Sequence, residues 1–254
     1  MPLPPAYAGL ISALPRVLST ISRREVPVGS RRRAAVLVPL VFRSHSLHVL
    51  FTLRSPTLPT HAGQVSFPGG HIEAGEDART AALREAGEEL GASLPWTVLG
   101  ALHEVLAVTG THVVPLLALC EAPLDNLDEA LHPPPAEVAH VFSLPLAALC
   151  APGAAVWRRV AEPGAAHPRA GLMLPVFAGG PAPIWGLSAF ILQEMLESVM
   201  RPAAAAGGGA AAEELRALLD APRPPRDGGE DAPMGGEARR SQDFDAAGAT
   251  KHVH

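Results

Sequence analysis

Apolar residues follow two rhythms along the chain. In "AAVLVPLVF" (34–42), "LHVLFTLR" (47–54), "WTVLGALHEV" (96–105) and "HVVPLLALC" (112–120) they run almost unbroken, rich in Val and Leu and bounded by turn residues. That pattern predicts strands, with a further one over "AEVAHVFSL" (136–144). Helical spacing predicts two helices, over 77–90 and over "LSAFILQEMLESVM" (187–200). Strands in runs, with helices between and after them, predict an α+β fold whose sheet packs between helices. The rhythm breaks near Arg201. Beyond it the chain turns to Ala, Gly and Pro, and only "AAAEELRALLD" has helical character. Such a segment offers little large apolar surface against its chain entropy, so 202–254 is expected to be a mostly disordered tail. The expected domain is 34–201, preceded by an N-terminal helical or targeting segment over 1–33.

Composition changes this picture only modestly. Hydrophobic residues make up 48% of 254 positions but aromatics only 4%, so the core must be built from Leu, Val and Ala. A net charge of −5 leaves no global nucleic-acid footprint, and no basic stripe interleaved with aromatics is visible. Cys120 and Cys150 are too far apart for a Cys-based zinc site and too few for a disulfide framework. They are expected as buried thiols in a reducing compartment, not a secreted one. No apolar run reaches the ~18 residues of a membrane helix, so no membrane insertion is expected. The first 33 residues carry Arg16, Arg23, Arg24, Arg31, Arg32 and Arg33 against one acid, Glu25. That composition fits either an organelle transit peptide or a surface helix, hence a cytoplasmic or mitochondrial protein. The final "KHVH" is no peroxisomal address.

Charge is concentrated in "LREAGEELGA" (83–92), where Glu85, Glu88 and Glu89 follow Arg84. On a helix over 77–90, with Glu76 and Asp77 at its positive end and Gly91 as its C-cap, the three carboxylates share one side. Like charges at i, i+3 and i, i+4 cost stability unless a cation stands among them. Arg84 balances only part of that charge. A hard divalent cation, Mg²⁺ or Mn²⁺, suits the rest, since carboxylate oxygens are its preferred ligands. The opposite face, Ala78, Ala82, Leu83, Ala86 and Leu90, is small and apolar and can press on a sheet.

The longer stretch "GGHIEAGEDARTAALREAGEELGA" spaces Gly70, Glu76, Arg84-Glu85, Glu88-Glu89 and Gly91 as the Nudix box does, and resembles it at every polar and glycine position. Ala86 and Ala92 stand where larger aliphatics are usual. The resemblance implies a Nudix-type α/β/α sandwich with a mixed sheet and a loop–helix–loop catalytic motif. It implies metal-dependent hydrolysis of a nucleoside diphosphate linked to another group. It makes Glu85 and Glu89 the main metal ligands and Glu88 a further ligand or base. The Gly70 carbonyl joins the metal set, Arg84 orients a carboxylate and Glu76 braces the loop.

Upstream, "LFTLRSPTLPTHAGQVSFPGG" (50–70) resembles the signature of the coenzyme A diphosphatase branch of that family, as do "AAVLVPL", "TGTHVVPLLAL" and "IWGLSAFIL". Phe51 and Ser188 replace an expected Leu and Thr. This resemblance implies cleavage of CoA and acyl-CoA to 3′,5′-ADP and (acyl-)4′-phosphopantetheine, with Arg54, His61, Gly63 and Gln64 near the substrate. Hydrolysis of another nucleoside diphosphate derivative, such as ADP-ribose or a dinucleotide, stays open. A non-catalytic Nudix-fold binding protein would have lost carboxylates, and all three are present. Glu137, in "PPAEVAHVF", is either a distal base or half of a strand-edge salt bridge.

Overall fold

A computed structural model describes residues 3–21, 32–159 and 173–224. In chain order the elements are α1 (Pro5–Thr20), β1 (Arg33–Arg43), β2 (Ser46–Arg54), β3 (Val65–Ser66), β4 (Gly69–His71), α2 (Ala78–Leu90), β5 (Trp96–Ala101), β6 (Val105–Leu106), β7 (His112–Cys120), α3 (Leu127–Ala130), β8 (Val138–Pro145), α4 (Leu146–Cys150), β9 (Ala155–Arg159), β10 (Met173–Phe177), α5 (Gly186–Glu194), a π-helical turn (Met195–Met200), α6 (Arg201–Ala206) and α7 (Ala210–Asp220).

Among the described residues, eight strands form one mixed sheet. Its main order is β3-β2-β1-β7-β5; β4 pairs with β1, β6 with β7 and β8 with β2. β1 and β7 run parallel, with Ala35 opposite Val114 and Leu37 opposite Leu116. Both strands are apolar at nearly every position because both of their faces are covered. Along β1, Ala35, Leu37 and Val41 face a core shared with Ala81, Ala82, Ala86 and Leu90 of α2. The alternate residues Val38, Leu40 and Phe42 face a second core shared with α1, α5, α6 and α7. Helices therefore lie on both faces, and the α+β sandwich expected from sequence is the fold observed.

The boundary at Arg201 does not hold. The second predicted helix passes through the π turn into α6, and α7 follows, with Ala212, Leu215 and Leu219 buried against α1 and α4. The low-complexity composition hid this because small residues allow unusually close helix contact. A Cβ on Gly9 of α1 would lie 2.1 Å from the carbonyl oxygen of Gly208, so the glycine-rich turn is a packing joint. Arg201 bonds both Glu197 and Asp220, and Arg223 reaches Glu197, fastening the turns together. Residues 225–254, the rest of the expected tail, lie outside the described residues, as do 22–31 of the N-terminal segment.

Smaller differences have local causes. The expected strand 96–105 divides into β5 and β6, since the chain leaves the sheet between Ala101 and Val105. The antiparallel pairing of β9 with β10 does not follow from the hydrophobic pattern. Cys120 and Cys150 are free and buried, and burial pushes both thiols up, Cys150 to about 12.

Candidate active site

The helix that carries the glutamates is fixed at both ends. Asp77 caps α2 by accepting from the Thr80 amide at 2.7 Å, a bond that holds its carboxyl below the usual range. Gly91 closes the helix in a left-handed conformation, φ 62°. Ala81, Ala82, Ala86 and Leu90 press on the sheet, while Ala78 and Leu83 are half-buried. The carboxylates stand at graded depths along the helix edge. Glu89 is 5% exposed and Glu85 is half-buried, but the Glu88 side chain is 58% exposed.

Each carboxylate has an arginine beside it. Arg84 Nη1 donates to Glu85 Oε1 at 3.1 Å and to Glu88 Oε2 at 3.2 Å. The same guanidinium donates from Nε and Nη2 to Glu76 at 3.1 and 3.2 Å and to the His71 carbonyl at 3.1 Å. Glu76 also accepts from the Glu73 amide at 3.1 Å. The bond to Arg84 lowers the Glu76 carboxyl, and the same partner raises the Arg84 guanidinium. Glu89 accepts from the Gly69 amide at 3.3 Å and faces Arg54 Nη1 at 3.6 Å. Burial outweighs both contacts and pushes the Glu89 carboxyl up to about 7; the charges of Glu85 and Glu137 push the same way. Burial also raises Glu85, against the pull of Arg84.

The charge of Glu137 helps to raise both Glu85 and Glu89. β8 joins β2 with Val138 opposite Arg54, and the Ser55 amide donates to the Glu137 carbonyl at 2.8 Å. This pairing brings Glu137 close enough for its charge to act on Glu85 and Glu89. No local pattern signals that placement, because it follows from strand pairing across more than eighty residues.

The residues present fit a hard cation. A Cβ on Gly70 would lie 2.3 Å from Glu85 Oε1, so the glycine leaves a backbone cradle against that carboxylate. Glu85, Glu88 and Glu89 supply oxygen donors only, the set preferred by Mg²⁺ and Mn²⁺. Among the described residues no three His, Cys, Asp or Glu side chains already converge as a metal cluster.

Arg54 turns toward Glu89 instead of outward. His61 is exposed, adopts φ 56°, and bonds Gln64 Oε1 through Nδ1 at 3.0 Å. Gly63 donates to the Arg54 carbonyl at 3.2 Å and Arg54 to that of Gln64 at 3.0 Å, closing a tight loop at the end of β2. An open cleft of about 610 Å³ starts at Arg84 and Glu88 and runs over Leu83 and Gly87 to Trp96, room enough for a nucleotide-sized ligand.

The chain that folds this way, with a capped acidic helix on a mixed sheet, matches the NUDIX domain family over residues 31–162. The chain belongs to the NUDIX family and is a Nudix hydrolase, of a class that acts on diphosphate linkages and generally uses divalent metal ions. It is similar to the mitochondrial coenzyme A diphosphatase NUDT8 of Homo sapiens, 42% identical over 167 residues, covering 65% of this chain and 68% of that protein. The NUDT8 of Mus musculus is 38% identical over 170 residues, covering 65% and 76%. An uncharacterized Nudix hydrolase, NudL of Klebsiella pneumoniae, is 43% identical over 123 residues, covering 46% and 59%.

Proposed function

We propose that the chain is a metal-dependent coenzyme A diphosphatase that hydrolyses CoA and acyl-CoA to 3′,5′-ADP and (acyl-)4′-phosphopantetheine. The observation that carries this reading is the meeting of two sequence signatures. The 50–70 segment, which resembles the CoA branch, ends on the carboxylates of the Nudix helix through Arg54 and the Gly69 amide. The likeness to mammalian coenzyme A diphosphatases supports it.

Glu85, Glu88 and Glu89, with the Gly70 carbonyl, would hold Mg²⁺ or Mn²⁺. Such an ion would supply charge neutralisation at the diphosphate oxygens and hydroxide near neutral pH. The chain's own groups do the positioning. Arg84 keeps Glu85 and Glu88 in fixed rotamers while Glu76 holds Arg84. Glu137 and Glu88, the more exposed carboxylates, are the candidates to take a proton from the attacking water. His61, Gly63 and Gln64 shape the loop beside which the substrate would lie. The substrate is a small molecule, and the two mammalian relatives make mitochondria the favoured compartment.

The test is product analysis. Purified chain with Mg²⁺ or Mn²⁺ is expected to release 3′,5′-ADP and 4′-phosphopantetheine from CoA, and nothing in excess EDTA. Release of other products, or turnover unaffected by EDTA, would overturn the reading.

A further inference from the structure

The two arginines at the carboxylates are held very differently. Arg84 is clamped by Glu76, Glu85, Glu88 and the His71 carbonyl. Among the described residues Arg54 has one charged partner, Glu89 at 3.6 Å, and its buried Nε has no hydrogen-bond partner. Its side chain is 25% exposed against 6% for that of Glu89, so a route outward exists for the guanidinium but not for the carboxylate. Besides Arg54, the groups facing Glu89 are the Gly69 amide and the negative charges of Glu85 and Glu137.

We infer that Arg54 is a resident counter-ion of Glu89 that gives way when a divalent cation enters, so that the metal site is loaded by exchange of one cation for another. The inference rests on Glu89 being a metal ligand, as proposed above. A guanidinium and a dication at the same poorly solvated carboxylate repel each other, and the arginine is the one free to move. Its forked donors then become available to the phosphates of the substrate, which approach from the exposed side. Arg54 is thus a positioning residue in the metal-free protein and a substrate contact in the loaded one. The exchange also guards the empty site, since it spares Glu89 an uncompensated buried charge.

The exchange predicts that metal affinity and catalytic efficiency move in opposite directions. Mn²⁺ binding to the full chain, without substrate, is measured by calorimetry for wild type, Arg54→Ala, Arg54→Lys and Glu89→Gln, with melting temperatures alongside. Arg54→Ala should bind Mn²⁺ about tenfold more tightly, as expected from removing one nearby like charge. Its kcat/KM for CoA should fall, its metal-free form should melt lower, and Mn²⁺ should raise its melting temperature more than that of wild type. Arg54→Lys should stay near wild type in Mn²⁺ affinity. Arg54→Gln, which keeps a donor but no charge, serves if the alanine variant does not fold. Equal or weaker Mn²⁺ binding by the uncharged variants, with Glu89→Gln still weakened, would sink the exchange and leave the ligand set standing. Unchanged Mn²⁺ affinity in Glu89→Gln would overturn both.

Discussion

Glu89→Gln separates the cost of the metal site from its use. The carboxyl is 5% exposed and is raised from 4.5 to about 7 despite the Gly69 amide and Arg54. Each tenfold change in proton affinity corresponds to about 1.36 kcal/mol, so keeping Glu89 ionised costs the metal-free fold about 3 kcal/mol. The direction with pH follows from the sign. A carboxylate raised in the folded state carries no penalty below its unfolded pKa of 4.5; the penalty grows as pH rises and is complete above about 7. Glutamine is nearly isosteric and keeps an acceptor for the Gly69 amide, but gives up the attraction of Arg54. In EDTA at pH 8 the variant should therefore be more stable than wild type by about 1–3 kcal/mol, or roughly 2–12 °C in Tm. The difference should shrink toward zero near pH 4.5. With saturating Mg²⁺ the variant should lose at least about a hundredfold in kcat/KM. Paired melting curves at pH 8 and pH 5 in EDTA, with one kinetic series, decide the matter. A variant less stable than wild type at pH 8, or one with a pH-independent difference, would refute the electrostatic reasoning.

Gly70→Ala places a Cβ against the Glu85 carboxylate and should weaken Mn²⁺ binding about tenfold while changing Tm little, read by calorimetry and melting. Arg84→Ala frees Glu85 and Glu88 and should cut kcat by about ten- to a hundredfold with a smaller change in KM for CoA, since geometry is lost more than binding. Ending the chain at Arg201 should destabilise it by several kcal/mol in urea unfolding, because Leu215 and Leu219 each bury a side chain worth about 1.5–3 kcal/mol; unchanged stability would mean that α6 and α7 do not complete the core.

The site was more legible in the sequence than its surroundings. Spacing alone placed Glu85, Glu88 and Glu89 along one side of a helix, and the glycine before them now stands against Glu85. The strands read well because β1 and β7 are covered on both faces, which leaves an unbroken apolar signature. Contacts made between distant segments were not legible. Arg54 meets Glu89 across thirty-five positions, and the charge of Glu137 acts on the carboxylates because β8 pairs with β2. The glycine- and alanine-rich end misled for a physical reason. Composition measures how much apolar area a segment offers, whereas α7 is positioned by how closely Gly9 of α1 lets the turn at Gly208 approach. The same limit concealed the short strands β3 and β4, whose two and three residues carry no period of their own.

The central claim is that this Nudix site is a coenzyme A site, and the ratio of kcat/KM for CoA to that for ADP-ribose tests it most directly. Both substrates are measured on one preparation of wild-type protein at saturating Mg²⁺. CoA should be preferred by at least about tenfold, the discrimination expected from contacts to an arm and a 3′-phosphate that ADP-ribose lacks. Equal values, or a preference for ADP-ribose, would contradict the assignment and leave only the diphosphate chemistry of the family.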